Sequence, residues 1–113
     1  MTSTTEILVE KVVKDGMVAV LVSPGYGAGW YTWNLDHPEL LFLPPVVELV
    51  LAGAGVYDIE DCIRSQYGEG EIYTGGAVDL MVKWVPVGSR FRISEYDGAE
   101  ALVLESAEQW ITA

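Results

Sequence analysis

Lys14-Asp15-Gly16-Met17-Val18-Ala19-Val20-Leu21-Val22 decides the fold class. An Asp-Gly pair between two β-branched runs marks a two-residue hairpin turn, because both turn positions need φ > 0. Residues 7–13 read as the first strand of that hairpin and residues 18–22 as the second. Nearly every residue of the second strand is apolar, the pattern of a central strand covered on both faces. The signal recurs at Asp97-Gly98, which separates Phe91 and Ile93 from the apolar run 101–104. Before it, Val78, Leu80, Val82 and Trp84 alternate with Asp79, Met81 and Lys83, as in a half-buried strand.

Helical patterns lie between these strands. Asp36-His37-Pro38-Glu39 reads as a helix start, with Asp36 as the cap and an acid in the first turn. Pro44-Pro45 ends that turn and opens a helix, since proline is tolerated at the first helical position. Val46, Val47, Leu49, Val50 and Leu51 form its buried side, and Gly53-Ala54-Gly55 stops it. Asp58 caps a second helix, with Asp61 completing a near capping box. Ile59, Cys62, Ile63 and Tyr67 make its apolar face, and Gly68 terminates it. The order predicts a single α+β domain over residues 1–113. It comprises an N-terminal β-hairpin, two helices and a three-strand antiparallel meander, with the helices on one face of a mostly antiparallel sheet. Residues 1–5 are expected to fray and Trp110 to pack.

Composition narrows the function classes. The chain of 113 residues is long enough for a real core. Six basic residues against 17 acids leave a formal charge of −11. That charge repels long nucleic acids and anionic membranes, and it suits a soluble protein or one with a basic partner. Residues 40–57 are the most apolar run, but Glu48 and Pro44-Pro45 argue for a buried helix over a membrane span. The N-terminus has no basic region followed by an apolar core, so no secretory signal is expected. Cys62 is the single cysteine, which leaves no intrachain disulfide and no multi-cysteine zinc site.

The stretch Ser23-Pro24-Gly25-Tyr26-Gly27-Ala28-Gly29-Trp30-Tyr31-Thr32-Trp33-Asn34 puts three glycines and four large aromatics into twelve residues. Gly25-x-Gly27-x-Gly29 follows a strand, as nucleotide loops do, without the spacing of a dinucleotide fold or a P-loop. Glycines let backbone N–H groups point into a concavity that holds phosphate. The aromatic faces offer base stacking, worth about 1–3 kcal/mol per base. Arg64, Arg90 and Arg92 are candidate sources of positive charge. The expected site is Gly25, Tyr26, Gly27, Gly29, Trp30 and Trp33, joined by Arg90 and Arg92. The competing reading is a rigid loop that plugs the core.

Catalysis finds little footing. His37 is the lone histidine, and no metal-ligand spacing is present. Cys62 lies on a helical apolar face, and Ser23 lacks the Gly-x-Ser-x-Gly elbow of a nucleophile. No catalytic residue, metal or cofactor is expected, and a small enzyme would need a cleft centred on His37.

Three segments carry a resemblance. Val22-Ser23-Pro24-Gly25-Tyr26-Gly27-Ala28-Gly29-Trp30, Val85-Pro86-Val87-Gly88-Ser89-Arg90-Phe91-Arg92-Ile93 and Glu95-Tyr96-Asp97-Gly98-Ala99-Glu100 resemble small accessory proteins encoded by tailed phages. The resemblance implies action in the host cytoplasm, where such proteins neutralise host defence by binding a host protein or soaking up a nucleotide signal. On this reading the first expectation is a non-enzymatic protein that sequesters a small nucleotide-derived ligand. The alternative is an acidic inhibitor that binds a basic host protein, imitating nucleic acid. A mean hydropathy of +0.27 and four tryptophans further point to a homo-oligomer.

Overall fold

β2 (Met17–Val22) is the strand on which both halves of the molecule pack. In the computed structural model, which describes residues 9–105, it is the middle of a three-stranded sheet. Antiparallel neighbours flank it: β1 (Val13–Lys14) and β3 (Met81–Pro86). Its side chains alternate between two cores, as a strand's period of two requires. Ala19 and Leu21 face Trp30, Leu40, Val46, Val47, Ile59 and Ile63. Val20 and Val22 face the opposite way, against Leu41, Phe42 and Val85. The uninterrupted apolar run thus reports burial on both faces.

The first core is roofed by α1 (Pro44–Leu51) and α2 (Val56–Tyr67). The second is closed by a separate two-stranded sheet, β4 (Phe91–Tyr96) and β5 (Ala99–Leu104). Phe91, Ile93, Leu102 and Leu104 pack on it from that hairpin. The architecture is therefore α+β, with the helices on one face of the central sheet and a β-hairpin on the other.

The strand pairing differs from a three-strand meander. β3 pairs with β2 along six residues, whereas β4 pairs only with β5. After Pro86 the chain turns at Gly88, which takes φ of 85°, and crosses to the far face of β2. There the apolar sides of β4 and β5 cover Val20 and Val22, which a longer flat sheet would leave exposed. Residues 7 and 8 of the expected first strand lie outside the described residues. Of residues 9–13, only Val13 is in β1. The turn itself has the expected form, with φ of 52° at Asp15 and 77° at Gly16. Residues 1–5 and Trp110 also fall outside the described residues.

The helix caps differ from expectation as well. Asp36 does not cap; a short 3-10 helix starts at Pro38, with His37 at its N-cap position. Asp58 sits inside the first turn of α2, one turn too late to cap, and extended Gly55 holds that position. An acid there still favours the helix dipole. α1 buries Val46 and Val47, half-buries Leu49 and Val50, and leaves Leu51 exposed, because two turns present only a narrow stripe to the sheet. Val78 lies exposed in a 3-10 turn (Gly75–Val78) and not in β3. Among the described residues no helix is long and apolar enough to cross a membrane.

Candidate functional site

The glycine-aromatic loop leaves β2 at Ser23 and divides its aromatics between core and surface. Trp30 is wholly buried, and its indole N–H donates to the Leu40 carbonyl at 2.8 Å. It fills the helical core and offers no face to a ligand. Gly76 comes so close that an added Cβ would lie 2.8 Å from Ser23 Oγ and 3.0 Å from Trp30 Cβ. Gly29, at φ of 52°, lies against the Trp33 ring where any side chain would collide. Close packing thus explains Gly29 and Gly76, whereas Gly27 and Gly70 answer to positive φ, 75° and 77°, in open space.

From Gly27 onward, the loop's N–H groups already have acceptors within the protein. Gly27 and Gly29 donate to the carbonyls of Asp97 and Gly98, at 2.6 and 2.8 Å. Ala28 donates to Gly25, Trp33 to Gly29 and Asn34 to Tyr31. The Trp30 N–H donates to Ser23 Oγ at 3.2 Å. Tyr31 and Thr32 donate to Glu100 Oε2, at 2.9 and 2.8 Å. Every N–H from Gly27 to Asn34 is satisfied, leaving none of them unengaged for phosphate.

Glu100 is the centre of this arrangement. It is only 4% exposed, although it is an acid. Its Oε1 also accepts from the Ser23 N–H and hydroxyl, and its Oε2 from the Thr32 hydroxyl. Such donors make burial of a carboxylate tolerable. The carboxyl group that the flanks of the glycine-rich turn hold, through the Ser23, Tyr31 and Thr32 N–H groups, is thus a side chain of β5. Ser23, buried and bonded to Glu100, serves this frame as well.

The frame displays four aromatic rings on one face. Tyr26 and Tyr96 are 77% and 76% exposed and meet edge to face, with centroids 6.3 Å apart. Trp33, 43% exposed, leans on Tyr73 at 5.3 Å. Gly27 links the pairs: it follows Tyr26 and its carbonyl accepts the Tyr73 hydroxyl at 2.6 Å. Buried Asn34 secures the far side, donating to the Trp30 and Tyr73 carbonyls and accepting from the Tyr73 N–H. The face is aromatic at its crest and acidic at its border, with Asp79 packed against Gly25 and Glu95 bound to the Gly98 N–H.

Beside Trp33 lies an open recess of about 330 Å³, lined by Thr32, Trp33, Leu35, Asp36, His37 and Glu71. His37 does occupy a cleft, but both its ring nitrogens are engaged. Nδ1 is 3.3 Å from Glu39 and Nε2 is 3.1 Å from Glu71. Tyr67 donates its hydroxyl to the same Glu39 oxygen at 2.7 Å. Burial acts to lower the His37 pKa, but hydrogen bonds and charge from Glu71 and Glu39 outweigh it and hold the imidazole above its ordinary value. Burial raises the Tyr67 pKa, and the bond to Glu39 raises it further. Burial also pushes the Cys62 thiol up, as suits a packing residue more than a nucleophile.

Of the expected site, Gly25, Tyr26, Gly27, Gly29 and Trp33 come together. Trp30 is in the core. Arg90 and Arg92 are elsewhere: Arg92 is five residues down β4 from Asp97, about 17 Å at strand spacing. Arg90 pairs with Glu105 at the opposite end of the hairpin. Arg64, on α2, pairs with Asp61 and Glu69. Sequence reasoning missed Glu100, Tyr73 and Tyr96. A signal for Glu100 existed, in an acid set between two alanines directly after the Asp97-Gly98 turn. Searches of protein-family models, curated proteins and solved structures return no match to this chain.

Proposed function

We infer that the protein is a non-enzymatic binding protein that holds a basic protein partner on the face of Tyr26, Tyr96, Trp33 and Tyr73. The observation that carries this reading is the cluster of exposed aromatics on a backbone held by internal hydrogen bonds. Large aromatics dominate interface energetics, and here the backbone that carries them is already tied by hydrogen bonds to the Asp97-Gly98 turn. The stretches that build the face, residues 25–37, 71–79 and 95–98, contain Asp36, Glu71, Asp79, Glu95 and Asp97 but no lysine or arginine. With the net charge of −11, this favours a basic partner and speeds its encounter. As an accessory protein of phage type, it acts in the host cytoplasm and blocks a basic component of host defence.

The test is capture from bacterial extract on the immobilised protein, followed by reconstitution with the purified partner. The expected result is one basic protein whose binding weakens with salt and is lost in Tyr26→Ala/Tyr96→Ala, while the variant melts near the wild-type temperature. Unchanged binding by that variant would reject the face.

One observation favours a second reading, a sequestered nucleotide-derived ligand. The recess beside Trp33 is open, and the exposed indole is a surface on which a base stacks. The carboxylates of Asp36 and Glu71 weigh against phosphate there. Native mass spectrometry of protein from defence-active cells separates the readings: a retained stoichiometric nucleotide supports the second.

A further inference from the structure

We propose that the recess beside Trp33 is an arginine pocket, in which the indole stacks on a partner's guanidinium while Asp36 and Glu71 receive its N–H groups. This rests on the binding reading above and names the chemistry the partner brings. Three features lead to it. The recess opens to solvent and has a flat aromatic wall, since Trp33 packs on Gly29 and Gly98 and remains 43% exposed. Acids line it in excess: Asp36 and Glu71 stand beside one histidine, which a third acid, Glu39, engages from behind. His37 is matched by Glu39 and Glu71, whereas exposed Asp36 makes no ion pair among the described residues.

Arginine fits these features better than lysine. Its guanidinium is planar, more weakly hydrated than an ammonium and able to stack on indole while its edge bonds carboxylates. A lysine ammonium would gain the charge attraction but little of the stacking. A second copy of this chain is a poor occupant, because its own charge of −11 would meet the same acids. Glu71 is positioned by His37 Nε2, and Trp33 by Gly29 and Tyr73, so the walls are set in advance.

The test is a titration of isotope-labelled protein with blocked hexa-arginine and hexa-lysine peptides, read at the indole N–H signals. The Trp33 signal should move and the buried Trp30 signal should not. The arginine peptide should bind about two- to fivefold more tightly, the contribution of a cation–π contact at an exposed site. Trp33→Leu should bring the two affinities together, and Asp36→Asn should weaken the arginine peptide more than the lysine peptide. Equal affinities for the wild type, or a Trp33 signal that does not move, would overturn the pocket. A Trp33 shift with protein concentration alone would overturn it in favour of self-association. If the purified host partner loses binding in Tyr26→Ala/Tyr96→Ala but not in Trp33→Leu, the pocket fails and the wider face stands.

Discussion

Two Asp-Gly turns share nearly the same backbone. Asp15 and Gly16 take φ of 52° and 77°, and Asp97 and Gly98 take 49° and 81°. Their surroundings differ. A Cβ added at Gly16 would meet nothing within 4 Å, although the Gly16 carbonyl accepts from Val87 at 2.8 Å. A Cβ at Gly98 would lie 2.8 Å from the Ala28 nitrogen and 2.9 Å from the Trp33 ring. One glycine answers a local need, the φ of a tight turn. The other answers that need and also admits a second backbone. The second turn is a tertiary fastener: its two carbonyls take the Gly27 and Gly29 N–H groups, and Glu100, just beyond it, takes those of Ser23, Tyr31 and Thr32.

The sharpest way to break the second fastener is Glu100→Ala. Three backbone N–H groups would lose their buried acceptor, at about 1–3 kcal/mol each. A loss above about 3 kcal/mol is expected from chemical denaturation, a large part of a typical total of about 5–15 kcal/mol. Glu100→Gln keeps the shape but turns an NH₂ toward N–H donors, so it should recover only part of the loss. A mild effect of Glu100→Ala would mean that the hairpin docks by apolar contact alone.

The same substitution at both glycines measures the difference between the turns directly. Gly16→Ala should cost about 1–2 kcal/mol, the strain of a Cβ in the left-handed region. Gly98→Ala adds crowding against Ala28 and Trp33, worth a further ~1–3 kcal/mol. Melting temperatures of the two variants should therefore separate, with Gly98→Ala lower. Equal melts would remove the distinction. On the exposed face, Tyr26→Ala should change stability by less than about 1 kcal/mol, since it loses one edge-to-face contact in solvent.

Much of the fold was legible because its signals are local. Asp-Gly between apolar strand patterns gives both turns, and the unbroken apolar run of β2 gives burial on two faces. The helices were found, but their caps shifted because 3-10 geometry at Pro38 and extended Gly55 displaced the acids. The meander expectation sets β4 beside β3, whereas β4 closes the far face of β2; both strands alternate, and the choice depends on which surface of β2 lacks cover. The loop is singular in composition, with three glycines and four large aromatics in twelve residues, but composition does not distinguish a site from a packed frame. Whether the loop's N–H groups are open to a ligand or taken by the chain itself depends on a turn and a carboxyl group far along the sequence, Glu100 lying 77 positions from Ser23. The positions of Arg90 and Arg92, by contrast, follow from counting along β4 away from the turn.

The weakest fastener is on the surface and responds to pH. His37 bridges the 3-10 helix and the second glycine loop through Glu39 and Glu71. Its folded pKa lies above its ordinary value of 6.5, despite partial burial, because the two carboxylates favour the imidazolium. A raised pKa means that the folded state binds the proton more tightly. The contribution is therefore fully present below about pH 6.5, and it disappears as pH rises through the higher folded value. Glu39 has the opposite dependence: burial would raise its pKa, but the Tyr67 hydroxyl, a backbone N–H and His37 lower it. Its contribution is present above the ordinary carboxylate value of 4.5 and fades as pH falls through the lowered one. Between the two lies a window in which both hold. Melting curves of the wild type and His37→Gln should thus differ most between about pH 5 and 6.5 and converge in alkaline buffer. Hydrogen exchange in residues 69–74 should follow the same course. A gap that widened with rising pH would show that His37 acts as a neutral packing residue, leaving the loop fastened only from the side of the second turn.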